Sequence, residues 1–253
     1  MPLRRSEVIA AALLLLDEVG LDALSTRRLA ARLDVHAGAL YWHVASKQDL
    51  LDAIADKILV EVRTEGFPPG VSWPDEVRML VRQMRETLLS HRDSARVLAG
   101  SGALGPNRLR IADHLMGVLG RTGAPVAATA FGSDSLMSYL TGFVLQEQSE
   151  PADVGAAEED TTTDLLDADR YPYLAAWART WSPDNRQLSF AAGLEIQIGG
   201  LERYLAGAAR TPEEHGSRPD PAGAPDRTAA PGHEKADPGI GHESASPAAN
   251  GRR

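Results

Sequence analysis

Apolar residues recur at helical spacing from the start of the chain. Val8, Ala12, Leu15, Leu16 and Val19 share one face of a helix that the pattern predicts over residues 6–19. Gly20 stands where a left-handed residue ends such a helix. After the connection Leu21-Asp22-Ala23-Leu24, the hydroxyl of Ser25 or Thr26 can cap a second helix. That helix turns Leu29, Ala30 and Leu33 inward and Arg27, Arg28 and Arg32 outward. A tight turn at Asp34-Val35-His36 leads into a short helix over residues 37–43, anchored by Leu40. Ser46-Lys47-Gln48-Asp49 has the form of a capping box, a hydroxyl and a carboxylate three residues apart. It opens a long helix with Leu50, Ile54, Ile58 and Val62 on one side.

Phe67-Pro68-Pro69-Gly70 breaks that helix. Further helices are predicted over residues 74–90, 106–121, 125–150 and 183–207, each opened by a proline, which the first helical turn tolerates. No useful period-two alternation occurs, so the expected fold class is all-α. Composition interrupts the pattern twice. Residues 151–169 are acidic and poor in large apolar groups, which predicts a mobile loop. The tail beyond Arg210 is rich in Pro, Gly and Ala and has Ile240 as its one large aliphatic residue, so it is expected to be disordered.

The net charge of −9 opposes nonspecific nucleic-acid binding when taken globally, but its distribution matters more. Much of the excess lies between Glu147 and Asp169, whereas the first 63 residues are near balance and hold basic spots at Arg4, Arg5, Arg27, Arg28 and Lys47. The chain has no cysteine, which removes disulfides, thiolate zinc sites and cysteine nucleophiles and fits the cytoplasm. The longest apolar run, residues 8–16, is too short to span a bilayer, and Asp17 and Glu18 interrupt any signal-like region. An enzyme is not expected: His-Glu-x-x-His, Gly-x-Ser-x-Gly and a phosphate-cradling glycine loop are all missing. No cofactor or metal is expected.

Two short helices joined by a three-residue turn over residues 25–44 form a helix-turn-helix, whose second helix can enter a major groove while the first crosses the backbone. Arg27, in the first turn of the earlier helix, can fork onto guanine, or it is a solvated arginine. Thr26 can donate to a phosphate or simply cap. Tyr41, Trp42 and His43 are consecutive and cannot all point into one core. Tyr41 and His43 are expected to touch DNA, while Trp42 either touches it or packs. Lys47 sits at a helix start, where the dipole disfavours a cation and a phosphate would offset it.

The run Leu40-Tyr41-Trp42-His43-Val44, with Lys47, Leu50-Leu51-Asp52-Ala53 and Thr26-Arg27-Arg28-Leu29-Ala30, closely resembles the DNA-binding domain of the tetracycline-repressor (TetR) family. His91-Arg92-Asp93, Gly142-Phe143-Val144-Leu145 and residues 190–195 resemble its C-terminal part more loosely. The resemblance implies an N-terminal three-helix helix-turn-helix domain (1–46), a connecting helix (47–66) and a helical ligand-binding and dimerisation bundle (67–208), ahead of the tail (209–253). It implies a homodimer on a double-stranded DNA operator, released by a small-molecule effector, or else a regulator or activator with no small effector. It also implies that the stripe Phe190, Leu194, Ile198, Leu201 and Leu205 and the helix from Pro125 form a dimer interface, although an internal bundle would show the same pattern.

Two departures from the family stand out. Ala37, Gly38 and Ala39, at the centre of the reading helix, can meet a thymine methyl but make no bidentate hydrogen bond, which implies a different operator. Where the family's drug-binding members hold a magnesium chelate with a histidine and a carboxylate, this chain has Leu98 and Gln146. Leucine cannot ligate, and an amide is a weak ligand for a hard cation. Polar drug contacts are replaced by Arg63, Leu80 and Met84, and with Leu98, His114, Leu115, Phe131 and Ser138 these are expected to line a more apolar pocket. For the apolar ones, core packing is the competing explanation.

Overall fold

The computed structural model describes residues 3–149, 167–180, 182 and 184–210, and every element among them is helical. Helix α1 (Arg5–Val19) buries Val8, Ala12, Leu13, Leu15 and Leu16. It stops at Gly20, whose φ of 77° suits glycine and whose N–H returns to the Leu16 carbonyl at 2.8 Å. Helix α2 (Thr26–Arg32) is capped by Ser25, whose Oγ accepts from Arg28 N at 3.3 Å. Asp34, at φ 52°, turns the chain into α3 (Ala37–Leu40).

The third helix is shorter than its pattern suggests. The N–H groups of His43 and Val44 both converge on the Leu40 carbonyl, at 2.8 and 2.9 Å, so the ladder tightens and ends. Helix α4 (Lys47–Ile58) starts at the expected cap, with Ser46 Oγ accepting from Asp49 N at 3.0 Å. The reciprocal half of the capping box is not made. The Asp49 carboxylate accepts from Ala45 N at 2.9 Å and from Arg5 Nη2 at 3.0 Å instead. The helix also ends early, in a 3-10 turn (Leu59–Glu61) and an extended Val62. Arg110 takes the Leu59 carbonyl at 3.2 Å and the Thr64 hydroxyl at 3.0 Å, so a distant side chain satisfies what another helical turn would have.

The remaining helices are α5 (Trp73–Leu89), α6 (Ser94–Gly100), α7 (Pro106–Gly120), α8 (Val126–Ser149), α9 (Pro172–Ala178) and α10 (Asp184–Arg210). Helices α6 and α9 are not foreseen by the pattern, because seven residues show too little of a 3.6-residue period. The stripe on α10 turns inward. Phe190, Leu194, Ile198, Leu201 and Leu205 are all buried within this one chain, so the internal-bundle alternative describes it. Tyr139 of α8 lies across Gly193, where a Cβ would overlap its ring, and its hydroxyl donates to the Phe190 carbonyl at 2.7 Å. The close approach at Gly193 is thus made by the same chain.

Gln148 braces the corner between α5 and α6. Its amide nitrogen reaches the carbonyls of Leu88 (3.1 Å) and His91 (2.7 Å) and the Ser94 hydroxyl (3.1 Å), and its oxygen accepts from Ala95 N at 3.0 Å. Gln148→Ala strands these part-buried backbone groups and is expected to lower stability by about 2 kcal/mol. In a thermal melt that is roughly a 4–8 °C fall, and a shift below about 1 °C would contradict the bracing role. The acidic stretch 150–166 and the tail from residue 211, expected to be a mobile loop and a disordered segment, lie outside the described residues.

Candidate nucleic-acid interface and interior cavity

Helices α2 and α3 are held from below by Leu29, Ala30, Leu40 and Val44, all buried. Their outer surface carries the residues singled out from the sequence. Arg27, Ala37, Gly38 and Lys47 are exposed, and Thr26, Ala39 and His43 are half-buried. Tyr41 is 58% exposed and Trp42 89%, so Trp42 does not pack. With Ser25 as the cap, the Thr26 hydroxyl is not needed for that role. The side chains of Arg27, Arg28 and Lys47 make no hydrogen bond or ion pair among the described residues. A Cβ added to Gly38 would meet nothing within 4 Å, so packing does not demand a glycine at that position of α3. The result is a cationic and aromatic face with open ground at its centre. A phosphate backbone can meet its cations and rings, and a groove can approach its flat middle.

Arg5, one of the basic spots of the sequence, has an internal role. Its Nε donates to the His43 carbonyl at 3.0 Å while Nη2 pairs with Asp49 at 3.0 Å. The first turn of α1 thereby fixes the end of the reading segment. Arg32 is likewise occupied, by Glu18 at 2.6 Å.

Two joints connect this head to the helices below. At the first, the α5–α6 corner grips the end of α1. Asp17 accepts from Arg92 N at 3.1 Å and lies 3.0 Å from His91 Nδ1, Asp93 accepts from Leu21 N at 2.7 Å, and Arg96 pairs with Asp22 at 2.9 Å. The hydrogen bond and charge of Arg96 hold the Asp22 carboxyl below the usual carboxylate range. At the second joint, α4 meets the segment between α6 and α7. Gln48 donates to the Gly100 carbonyl at 2.9 Å, and Asp52 accepts from Gly102 N at 3.1 Å. Asp56 caps α7, accepting from Asn107 N at 2.8 Å, from Arg108 N at 3.3 Å and from Asn107 Nδ2 at 2.8 Å. A carboxylate there also faces the positive end of the α7 dipole. Gly105 makes the approach possible, since a Cβ on it would overlap the Asp56 carboxyl. The Gln48 hydrogen bond, with help from Ser101 and two backbone N–H groups, holds Asp52 below its usual range. Carboxyls lowered in this way are fully charged at neutral pH and lose these contacts only as acid brings the pH down through their depressed pKa.

On the body, a half-open pocket of about 230 Å³ is lined by Leu59, Met84, Leu104, Ile111, Ala112, Met116, Ala130 and Met137, with Arg108, Ser133 and Asp134 as its polar groups. Of the expected pocket residues, Met84 lines it. Leu80, Leu98 and Leu115 are buried in the core. Arg63, Ser138 and Gln146 are exposed. Phe131 is 66% exposed and lies in an outer groove with Ile196, Gly200 and Tyr204. His114 stacks on Phe67 with ring centroids 5.4 Å apart, and its Nε2 is 3.1 Å from Glu76, which is 3% exposed and pairs with Arg121 at 2.7 Å. Glu147, next to Gln146, is buried in a two-pronged pair with Arg85, whose Nε donates at 2.9 Å. Arg85 also lies 4.7 Å above the centre of the Phe190 ring. The roles of Glu76, Asp56 and Gln148 escape sequence reasoning because each depends on partners 38 or more residues away, or on a cavity that no local pattern reports. Among the described residues no group of three or more His, Asp or Glu side chains is placed to hold a metal ion, and no helix is long and apolar enough to cross a membrane.

Residues 8–54 match the family model described as bacterial regulatory proteins of the tetR family, and residues 67–205 match the tetracyclin repressor-like C-terminal domain. The tetracycline repressor protein class A from transposon 1721 of Escherichia coli is 36% identical over 203 residues, which is 79% of this chain and 91% of that protein. The crystal structure of Streptomyces coelicolor ActR in complex with actinorhodin aligns with a TM-score of 0.72 at 34% identity, over 82% of this chain and 99% of that one. BioQ bound to its natural double-stranded DNA operator aligns with a TM-score of 0.58 at 29% identity, over 79% of this chain and 99% of that one.

Proposed function

The chain belongs to the tetracycline-repressor family of bacterial regulators, and from that premise we propose that it is a cytoplasmic repressor that binds a palindromic operator as a homodimer and is released by a small apolar molecule. Its chemistry is recognition rather than catalysis. The observation that carries this reading is the face of α2, α3 and the start of α4, where Arg27, Tyr41, Trp42 and Lys47 stand exposed and the two cations make no hydrogen bond or ion pair among the described residues. The likeness to BioQ on its operator supports placing DNA there. The outer groove of Phe131, Ile196 and Tyr204 is the face on which a second copy pairs, since apolar side chains of this size gain most when covered. A two-fold axis would then set the reading helices about 34–36 Å apart, one turn of DNA.

The effector site is the methionine-rich cavity. Met84, Met116 and Met137 give it an adaptable apolar wall, and Arg108, Ser133 and Asp134 can orient a polar substituent. A magnesium chelate does not suit the chain. Leu98 offers no lone pair, Gln146 is exposed, and the Glu147 carboxylate is taken by Arg85. The complex of ActR with actinorhodin supports an organic effector. Leu59 and Leu104 belong both to the cavity wall and to segments beside the second joint. A ligand pressing on them shifts the α6–α7 segment, hence Asp52 and Asp56 of α4, and so favours a head spacing that no longer fits the operator.

The test is selection of bound DNA from a random pool, then release of that DNA by a panel of apolar aromatic compounds. A palindrome with half-sites about one helical turn apart is expected. Met137→Trp should still bind it, yet need on the order of tenfold more effector, because the indole occupies the cavity. Failure to select any palindrome sinks the operator reading. A palindrome from which no compound releases the protein points to a regulator without a small effector.

A further inference from the structure

We propose that His36 reads a base of the operator, supplying the hydrogen bond that the rest of the reading helix cannot make; this rests on the operator-binding reading above. In a helix-turn-helix the N-terminal residues of the second helix meet the base edges. Here those residues are His36, the N-cap of α3, followed by Ala37, Gly38 and Ala39. The last three offer methyl groups or hydrogen only. Specific binding must exceed nonspecific binding by about 10³-fold or more, so some side chain at this end must discriminate.

His36 has the position and the freedom to do so. Its residue is exposed, and its imidazole makes no hydrogen bond or ion pair among the described residues. Fold stability does not account for it. N-cap positions favour Ser, Thr, Asp and Asn, and this ring does not cap. Its backbone, at φ −66° and ψ 139°, is extended and unstrained, so the position would accept other residues. An imidazole is short, and it reaches a base only if the surface beside it comes close to the DNA. Gly38 provides that approach, with nothing within 4 Å of where its Cβ would be. The neighbouring candidates lie away from this end of the reading helix. Arg27 is on α2, and Tyr41 and Trp42 lie a turn further on, with rings fitted to sugar and phosphate. The ring N–H of His36 fits the acceptor edge of a purine in the major groove, N7 of either purine or O6 of guanine.

The experiment compares the wild-type protein, His36→Ala and His36→Gln, each used to select DNA from a random pool, with melting temperature and affinity for unrelated duplex as controls. The wild type should select a purine at one symmetric position in each half-site. His36→Ala should lose the preference there and at no other position, and bind the wild-type site on the order of tenfold more weakly. Its melting temperature and its affinity for unrelated DNA should not change. His36→Gln should move the preference at that position toward adenine, whose N6 and N7 pair with an amide. The proposal is overturned if His36→Ala selects the same bases as the wild type, or if affinity falls equally on operator and unrelated DNA, which would make His36 a phosphate contact. If the wild type itself selects no palindrome, the operator reading fails first and takes this inference with it.

Discussion

Arg27→Ala is expected to bind the operator about 100-fold more weakly than the wild type, as fluorescence anisotropy at fixed salt would show. A forked arginine on a base or a phosphate accounts for about 1–3 kcal/mol, and a homodimer loses the contact in both half-sites. The fold loses almost nothing, because Arg27 is exposed and has no partner among the described residues. Melting should therefore stay unchanged, which separates a missing contact from a damaged head. Affinity for unrelated DNA tells which kind of contact it was. A base contact leaves it nearly intact, whereas a phosphate contact weakens all sequences alike and lowers the slope of log affinity against log salt by about one per site. A variant within threefold of the wild type on the selected operator would remove this face as the interface.

Arg85→Ala is the substitution expected to cost most stability, about 3–5 kcal/mol, because it leaves the Glu147 carboxylate buried without its partner. The Glu147 side chain is 7% exposed, so water cannot replace the guanidinium, and the cover over the Phe190 ring is lost as well. In calorimetry the midpoint should fall by roughly 10 °C. Combining Arg85→Met with Glu147→Leu should recover most of that loss, since removing both charges leaves no stranded ion. If the single variant melts within about 2 °C of the wild type, the pair is hydrated and contributes little.

The head was legible in detail because its signals are local. Ser25 and Ser46 cap where their hydroxyls predict, Gly20 ends α1, and Leu40 anchors the short reading helix. Each of the caps and the stop depends on residues within four positions along the chain, and Leu40 is marked by its apolar type at the right spacing. The body was legible as helices but not as a site. His114, Leu115, Phe131 and Ser138 sit on helices that were foreseen, yet Leu115 fills the core, His114 turns to Glu76, and Phe131 and Ser138 face outward. A helix rotates about 100° per residue, so a small error in the packed face moves a side chain from cavity to core or surface. For the same reason the α10 stripe, which matches a dimer seam in pattern, is filled by the chain's own α5 and α8.

The amino-acid order by itself determined the helical class, the helix-turn-helix and the chemistry offered to DNA: cations and rings at the edges, small residues in the middle. These follow from periodicity, capping and side-chain type, which act over a few residues. Tertiary structure alone decided where α4 stops, through Arg110 on Leu59, and which acids are structural, through Asp56 on α7 and Glu147 with Arg85. It also decided that Trp42 faces solvent and that Arg5 faces its own chain. Those outcomes are settled by partners distant in sequence. The energy of a buried charge or an open carbonyl depends on which of them the fold brings within hydrogen-bonding distance.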